Sequence, residues 1–137
     1  MLTAIHYGKM MVQKKNFRDF YNEIRDQFPS TKELATWNKY DWSSVGFENA
    51  MIMSELSREM AAWVAGGQES DGQKMMDLIE RYYNEGDVAV VSIIYTDYLV
   101  TIMEAKKDVR EAIKKMMGPE TEKSYENLLH LYRELDV

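Results

Sequence analysis

The stretch GDVAVVSIIYTDYLVTIME, residues 86–104, constrains the fold more than any other. Between Val88 and Met103 only Asp97 is charged, and neither Gly nor Pro interrupts the run. Its β-branched residues would suit a buried strand. The run nevertheless outlasts the usual 3–10 residues of a strand without a turn signal, and Asp87 after Gly86 reads as a helix N-cap. A helix apolar nearly all round is buried in a core or spans a membrane. A span needs about 20 apolar residues and tolerates a central Asp poorly. The stretch is therefore expected to be a central core helix, about Val88–Met103.

The flanking segments are amphipathic and supply the layers around it. Phe17, Phe20, Tyr21, Ile24 and Phe28 share one helical face, predicting a helix from about Val12 to Phe28 that ends at Pro29. Ser30 with Glu33 reads as a capping box for a short helix to about Asn38. A helix from about Gly46 to Ala65 buries Ile52, Leu56, Met60, Trp63 and Val64, and Gly66-Gly67 ends it. QESDGQ reads as a loop. Met75, Met76, Ile79, Tyr82 and Tyr83 then mark a helix to about Asn84. Val109, Ile113, Met116 and Met117 mark another after a break or kink near residues 105–107, and Gly118-Pro119 stops it. Glu120–Leu135 forms the last, with Tyr125, Leu128, Leu129 and Tyr132 inward. The expected fold is all-α: one domain over residues 1–137, six or seven helices around the central one, with residues 1–10 a disordered leader. The expected core is Phe20, Ile24, Phe28, Ile52, Leu56, Met60, Ile79, Val91, Ile94, Leu99, Ile102, Leu128 and Tyr132.

Several chemistries are excluded outright. The chain has no cysteine, hence no disulfide, thiolate zinc site or cysteine nucleophile. It has no Gly-x-Ser-x-Gly elbow, phosphate loop or dinucleotide fingerprint, so no cofactor is expected. The absence of a secretory pattern at the N-terminus makes cytoplasmic the expected location. The two histidines are His6, in the leader, and His130, flanked by Glu126 and Glu134 on one helical face. Only one such helix occurs, whereas di-iron bundles repeat a Glu-x-x-His pair on two.

Charge is distributed unevenly. Net charge is −6, yet residues 41–104 carry twelve acids against Arg58, Lys74 and Arg81. That excess disfavours nucleic acid and favours a basic protein partner. Glu48, Glu55 and Glu59 stack along one helical face, with Met51 at its rim and Trp42 just before it. Those five are the candidate partner-binding residues, Trp42 being the anchor. The aromatics Trp37, Tyr40 and Trp42 equally suit the pinning of a short helix onto the core. Asp97 either meets the surface or pairs with Arg58, Arg81 or a tyrosine hydroxyl. A second function class stays open: a metal-dependent hydrolase using Glu55, Glu59, Asp97 and Glu104. Homo-oligomer formation also stays open.

The order DLIERYYNEGD, VAVVSIIYTDYLVTIME, MMGPETEKSYENLLHLY, spanning about Phe47 to Leu131, resembles a group of small all-helical bacterial proteins. Several of these are similar to immunity proteins that neutralise toxins delivered between competing cells. The resemblance implies a non-catalytic protein that covers the basic surface or active site of a toxin such as a nuclease. It carries over no functional residues.

Overall fold

The chain folds into packed helices, two of which begin at a side-chain cap, Asn16 and Asp87. The structure is a computed structural model and describes residues 14–43 and 47–135. The expected leader, with His6, lies outside those residues, as do Val12 and Gly46. Helix α1 (Phe17–Gln27) starts later than the sequence suggests because Asn16 caps it. Asn16 Oδ1 accepts from the Asp19 amide at 2.9 Å, and the Asp19 carboxylate accepts from the Asn16 amide at 3.0 Å. The Ser30–Glu33 capping box does not form. Pro29 instead opens a 3₁₀ turn, Pro29–Glu33, with no side-chain cap. The Thr31 hydroxyl donates to the Phe28 carbonyl at 2.7 Å, and the Trp37 indole donates to the Thr31 carbonyl at 2.6 Å. Those two bonds hold the segment tight ahead of α2 (Thr36–Lys39).

Helix α3 (Phe47–Ala65) leads through Gly67, at φ +89°, into α4 (Glu69–Glu85). QESDGQ is therefore mostly helix, not loop. Glu69 and Asp71 sit favourably in its first turn. Gly72 is used for close packing: a Cβ there would come within 2.6 Å of Val64 Cγ2 and 3.3 Å of Met116 Sδ. The glycine that reads as a loop marker is what lets α4 lie against α3.

The central apolar run is a continuous helical rod over residues 88–102. It comprises α5 (Val88–Ile93), a π-helical stretch (Ile94–Leu99) and α6 (Val100–Ile102). Asp87 caps it as expected, accepting from the Val90 amide at 2.9 Å. The π stretch widens the turn and shifts the phase of the buried face. Val90, Ile93, Ile94, Tyr98, Leu99, Thr101 and Ile102 face inward, while Val88, Ser92 and Thr96 form a solvent edge. The rod is thus one wall of the core rather than an axis enclosed all round. A turn over residues 103–106 closes it with i→i−3 bonds, and α7 (Lys107–Met116) follows. Helix α8 (Pro119–Leu135) completes the array. With the rod counted once, seven helices stand among the described residues, and the only β-type pairing there is an isolated Lys15–Gly86 bridge.

Helix α3 packs against the π stretch, α4, α6 and α7, and α4 packs in addition against α8 and α5. The expected core is buried with two exceptions: Val91 is half-buried and Tyr132 is 40% exposed. Val91 falls just before the phase change of the rod. Residues 131–133 all lie exposed on the last turns of α8, past the body it packs on.

Candidate functional site

Helix α3 presents the acidic edge expected from the spacing of Glu48, Glu55 and Glu59. All three are half-buried, as is Met51. Two of the carboxylates already hold protein donors. Glu55 Oε1 lies 3.8 Å from Lys39 Nζ and 3.4 Å from the Tyr40 hydroxyl. Glu59 accepts from the Trp63 indole at 3.1 Å, an i→i+4 bond along the helix. Arg58, on the same helix, reaches Glu104 through Nε at 3.0 Å and Nη2 at 3.3 Å. That pair, together with Lys39, breaks the acidic stripe with cations.

Trp42 is part of an aromatic stack. Its ring lies 5.2 Å from that of Trp37 and 5.9 Å from that of Tyr21, both edge-on or tilted. Its indole donates to the Trp37 carbonyl at 3.0 Å, and Arg25 covers the ring at 5.2 Å. Behind the stack, the Tyr21 hydroxyl donates to buried Asn49 of α3 at 2.8 Å. These contacts make the segment before α3 a pin that fixes α2 and α1 to the core. The exposed ring at this end of α3 is Phe47, at 76% exposure. Phe47 sits one residue before Glu48 and one turn before Met51. Sequence reasoning did not single it out, because the exposure of one ring at the head of a helix leaves no mark in the spacing of residues.

The four carboxylates of the hydrolase alternative are dispersed in their bonding. Glu55 and Glu59 hold the partners above, Glu104 holds Arg58, and half-buried Asp97 accepts from its neighbour Thr96 at 2.7 Å. Neither Arg58 nor Arg81 reaches Asp97, since Arg81 is bound to Glu23. Among the described residues no group of three His, Asp or Glu is placed to hold a metal ion. His130 is exposed on α8, and Glu126 is paired with Lys114. Nor is any described helix long and apolar enough to cross a membrane.

Much of the remaining acidic middle is structural. Asp87 caps α5, Glu80 receives the N-terminus of α8, and Glu85 lies 3.7 Å from Lys15. Five of the twelve acids, Glu55, Glu80, Glu85, Asp87 and Glu104, are thus taken up by caps and ion pairs.

No curated protein and no solved structure matches the chain. A family profile, described as Domain of unknown function (DUF7674), matches residues 21–133, from the middle of α1 to the end of the exposed turn of α8. The chain belongs to that family.

Proposed function

We propose that this domain is a non-catalytic protein-binding protein that receives a basic partner on the outer edge of α3, acting as an immunity protein that neutralises a toxin. The observation that carries the reading is Phe47, a large apolar ring standing in solvent at the head of a helix edge that also bears Glu48, Met51, Glu55 and Glu59. Aromatic residues and Met are enriched at protein interfaces, whose rims are polar. The carboxylates steer a basic partner and accelerate association, while a buried aromatic anchor slows dissociation. Phe47 fills the anchor role, because the Trp42 indole is already committed to the Trp37 carbonyl. The dispersed bonding of the carboxylates supports binding over metal-assisted hydrolysis.

Immunity genes sit directly after the toxin they neutralise, which gives the test. The protein encoded immediately upstream in the native genome is expressed alone and together with this chain. The expected result is growth arrest by the upstream protein, rescue by the wild-type chain through an isolable complex, and loss of both rescue and complex in Phe47→Asp/Glu48→Lys. A harmless, non-binding upstream product refutes the proposal. So does full protection by the double variant.

A further inference from the structure

A second surface, on the opposite charge footing, lies between α7 and α8. On α7, Lys107, Arg110 and Lys114 recur at i, i+3 and i+7 and so share one face. On α8, Tyr125, Leu129 and Arg133 recur at i, i+4 and i+8. The two faces line a cleft of about 240 Å³. Glu111 is the single carboxylate in that lining. Lys114 is paired with Glu126, but Lys107, Arg110 and Arg133 form no ion pair among the described residues. Arg110 Nε is buried with no hydrogen-bond partner among the described residues. In a chain of net charge −6, three cations outside any ion pair are gathered here against the one carboxylate of Glu111. Such gathering opposes folding through like-charge repulsion, at i, i+3 and i, i+4 spacings and across the cleft. An anion in the cleft would relieve that repulsion.

We infer that the α7–α8 cleft is a binding site for a small phosphomonoester, its phosphoryl group held by Arg110, Arg133 and Lys107 and its organic part resting on Tyr125 and Leu129. A phosphoryl dianion matches an excess of about two positive charges left once Glu111 is set against the three unpaired cations. Guanidinium groups bind phosphoryl oxygens through paired donors, which a lone ammonium cannot reproduce. Tyr125 is buried and Leu129 half-buried, so they give the cleft an apolar floor that inorganic phosphate would leave unused. The volume suits a compact ligand and lies below the range of sites that take drug-sized or dinucleotide molecules.

The experiment is calorimetric titration of the full chain at low salt with phenyl phosphate, and separately with inorganic phosphate. Phenyl phosphate is expected to bind saturably, in the millimolar range or tighter, and more tightly than inorganic phosphate. Arg133→Gln, at an exposed position that cannot unfold the chain, is expected to weaken binding by about tenfold. Arg110→Gln should do the same with an unchanged circular dichroism spectrum, while Lys123→Gln, on α8 but outside the cleft, should bind like wild type. Absence of saturable binding, equal binding of the two probes, or unchanged affinity in Arg133→Gln would each overturn the inference. The site is separate from the α3 edge, so it stands or fails without reference to the toxin partner.

Discussion

Glu80 of α4 closes the N-terminus of α8 through Thr121. Glu80 Oε1 accepts from both the Thr121 amide and the Thr121 hydroxyl at 2.9 Å, and Glu80 Oε2 accepts from the Glu120 amide at 3.2 Å. The first amides of a helix have no partner within it, so an acid from another helix here acts as a cap and a tertiary clasp together. Gly118 makes room for it, since a Cβ at that position would collide with the Glu80 side chain. Glu80→Gln should cost about 1–2 kcal/mol, by analogy with lost N-caps. Gly118→Ala should displace the carboxylate, so its cost should not add to that of Glu80→Ala. Urea denaturation of the two single variants and the double variant measures the coupling, and full additivity would show that the clasp is not shared.

The same clasp sets a pH dependence. Burial raises the Glu80 carboxyl, but the bonds from Thr121, Asn84 and Glu120 outweigh it and hold the group below the usual carboxylate range. A depressed folded pKa contributes stability that is fully present above the unfolded value, about 4.3. It is lost as pH falls through the folded value. The stability gap between wild type and Glu80→Gln should therefore be full at pH 7 and shrink on acidification below the unfolded value. A gap that grows on acidification would reverse the assignment.

Arg81 and Glu23 clasp α4 to α1 in a more exposed setting. Arg81 meets both Glu23 oxygens, the Tyr82 hydroxyl donates to Glu23 at 2.6 Å, and Lys15 stands 3.5 Å away. Arg81 is the main cause holding the Glu23 carboxyl low; burial opposes it, and Tyr82 and Lys15 add to it. Arg81→Lys loses the paired donors and should cost about 0.5–1 kcal/mol, the modest size reflecting solvent screening. It should also flatten the acid loss of stability, because Glu23 then gains less on ionising in the folded state. Urea midpoints taken from neutral to acidic pH check both effects.

Tyr98 carries a cost that can be removed. Its ring, on the inner side of the π stretch, is fully buried, its hydroxyl has no hydrogen-bond partner among the described residues, and burial pushes its pKa up. The Tyr98 backbone is well served by contrast: Ser57 of α3 donates to its carbonyl at 2.8 Å. Tyr98→Phe keeps the packing and deletes the unsatisfied group, so it should be neutral or stabilising by up to about 1 kcal/mol. Ser57→Ala leaves the buried carbonyl short of a donor and should cost about 1–3 kcal/mol. Chemical denaturation of both gives the sign. A loss above about 1 kcal/mol in Tyr98→Phe would reveal a partner for the hydroxyl.

The helices were legible because hydrophobic period survives in the sequence wherever a helix has one dry face. Phe20, Ile24, Ile52, Leu56, Met60 and Ile79 read as core and are core. What period could not reveal is a change of period: the π stretch shifts the phase of the rod, which leaves Val91 at the margin. Gly72 reads as punctuation because composition does not distinguish a turn glycine from one that admits Val64 and Met116. The spacing of Glu48, Glu55 and Glu59 was visible, but Lys39 and Arg58 interrupting it depend on side-chain contacts across elements. The cations of α7 stand at helical spacing in the sequence. Their meeting with Tyr125 and Arg133 depends on how α8 returns after Gly118.

Trp42 and Phe47 separate the two roles that an aromatic before α3 can play. Trp42 packs on Trp37 and Tyr21 beneath Arg25, so its removal should act on folding. Full Trp truncation in a core costs about 3–5 kcal/mol, and a half-buried ring should fall toward 2–3 kcal/mol. Phe47 stands in solvent, and Phe47→Ala should leave stability within about 0.5 kcal/mol. Binding should respond in the reverse sense: Phe47→Ala speeds dissociation of the partner, and Glu48→Lys slows association at low salt. Glu55→Lys should slow association less than Glu48→Lys, because Lys39 and Tyr40 already engage that carboxylate. Thermal denaturation and surface-plasmon kinetics on one set of variants measure all four. If Trp42→Ala is thermally silent and Phe47→Ala destabilises, the anchor and the pin are exchanged.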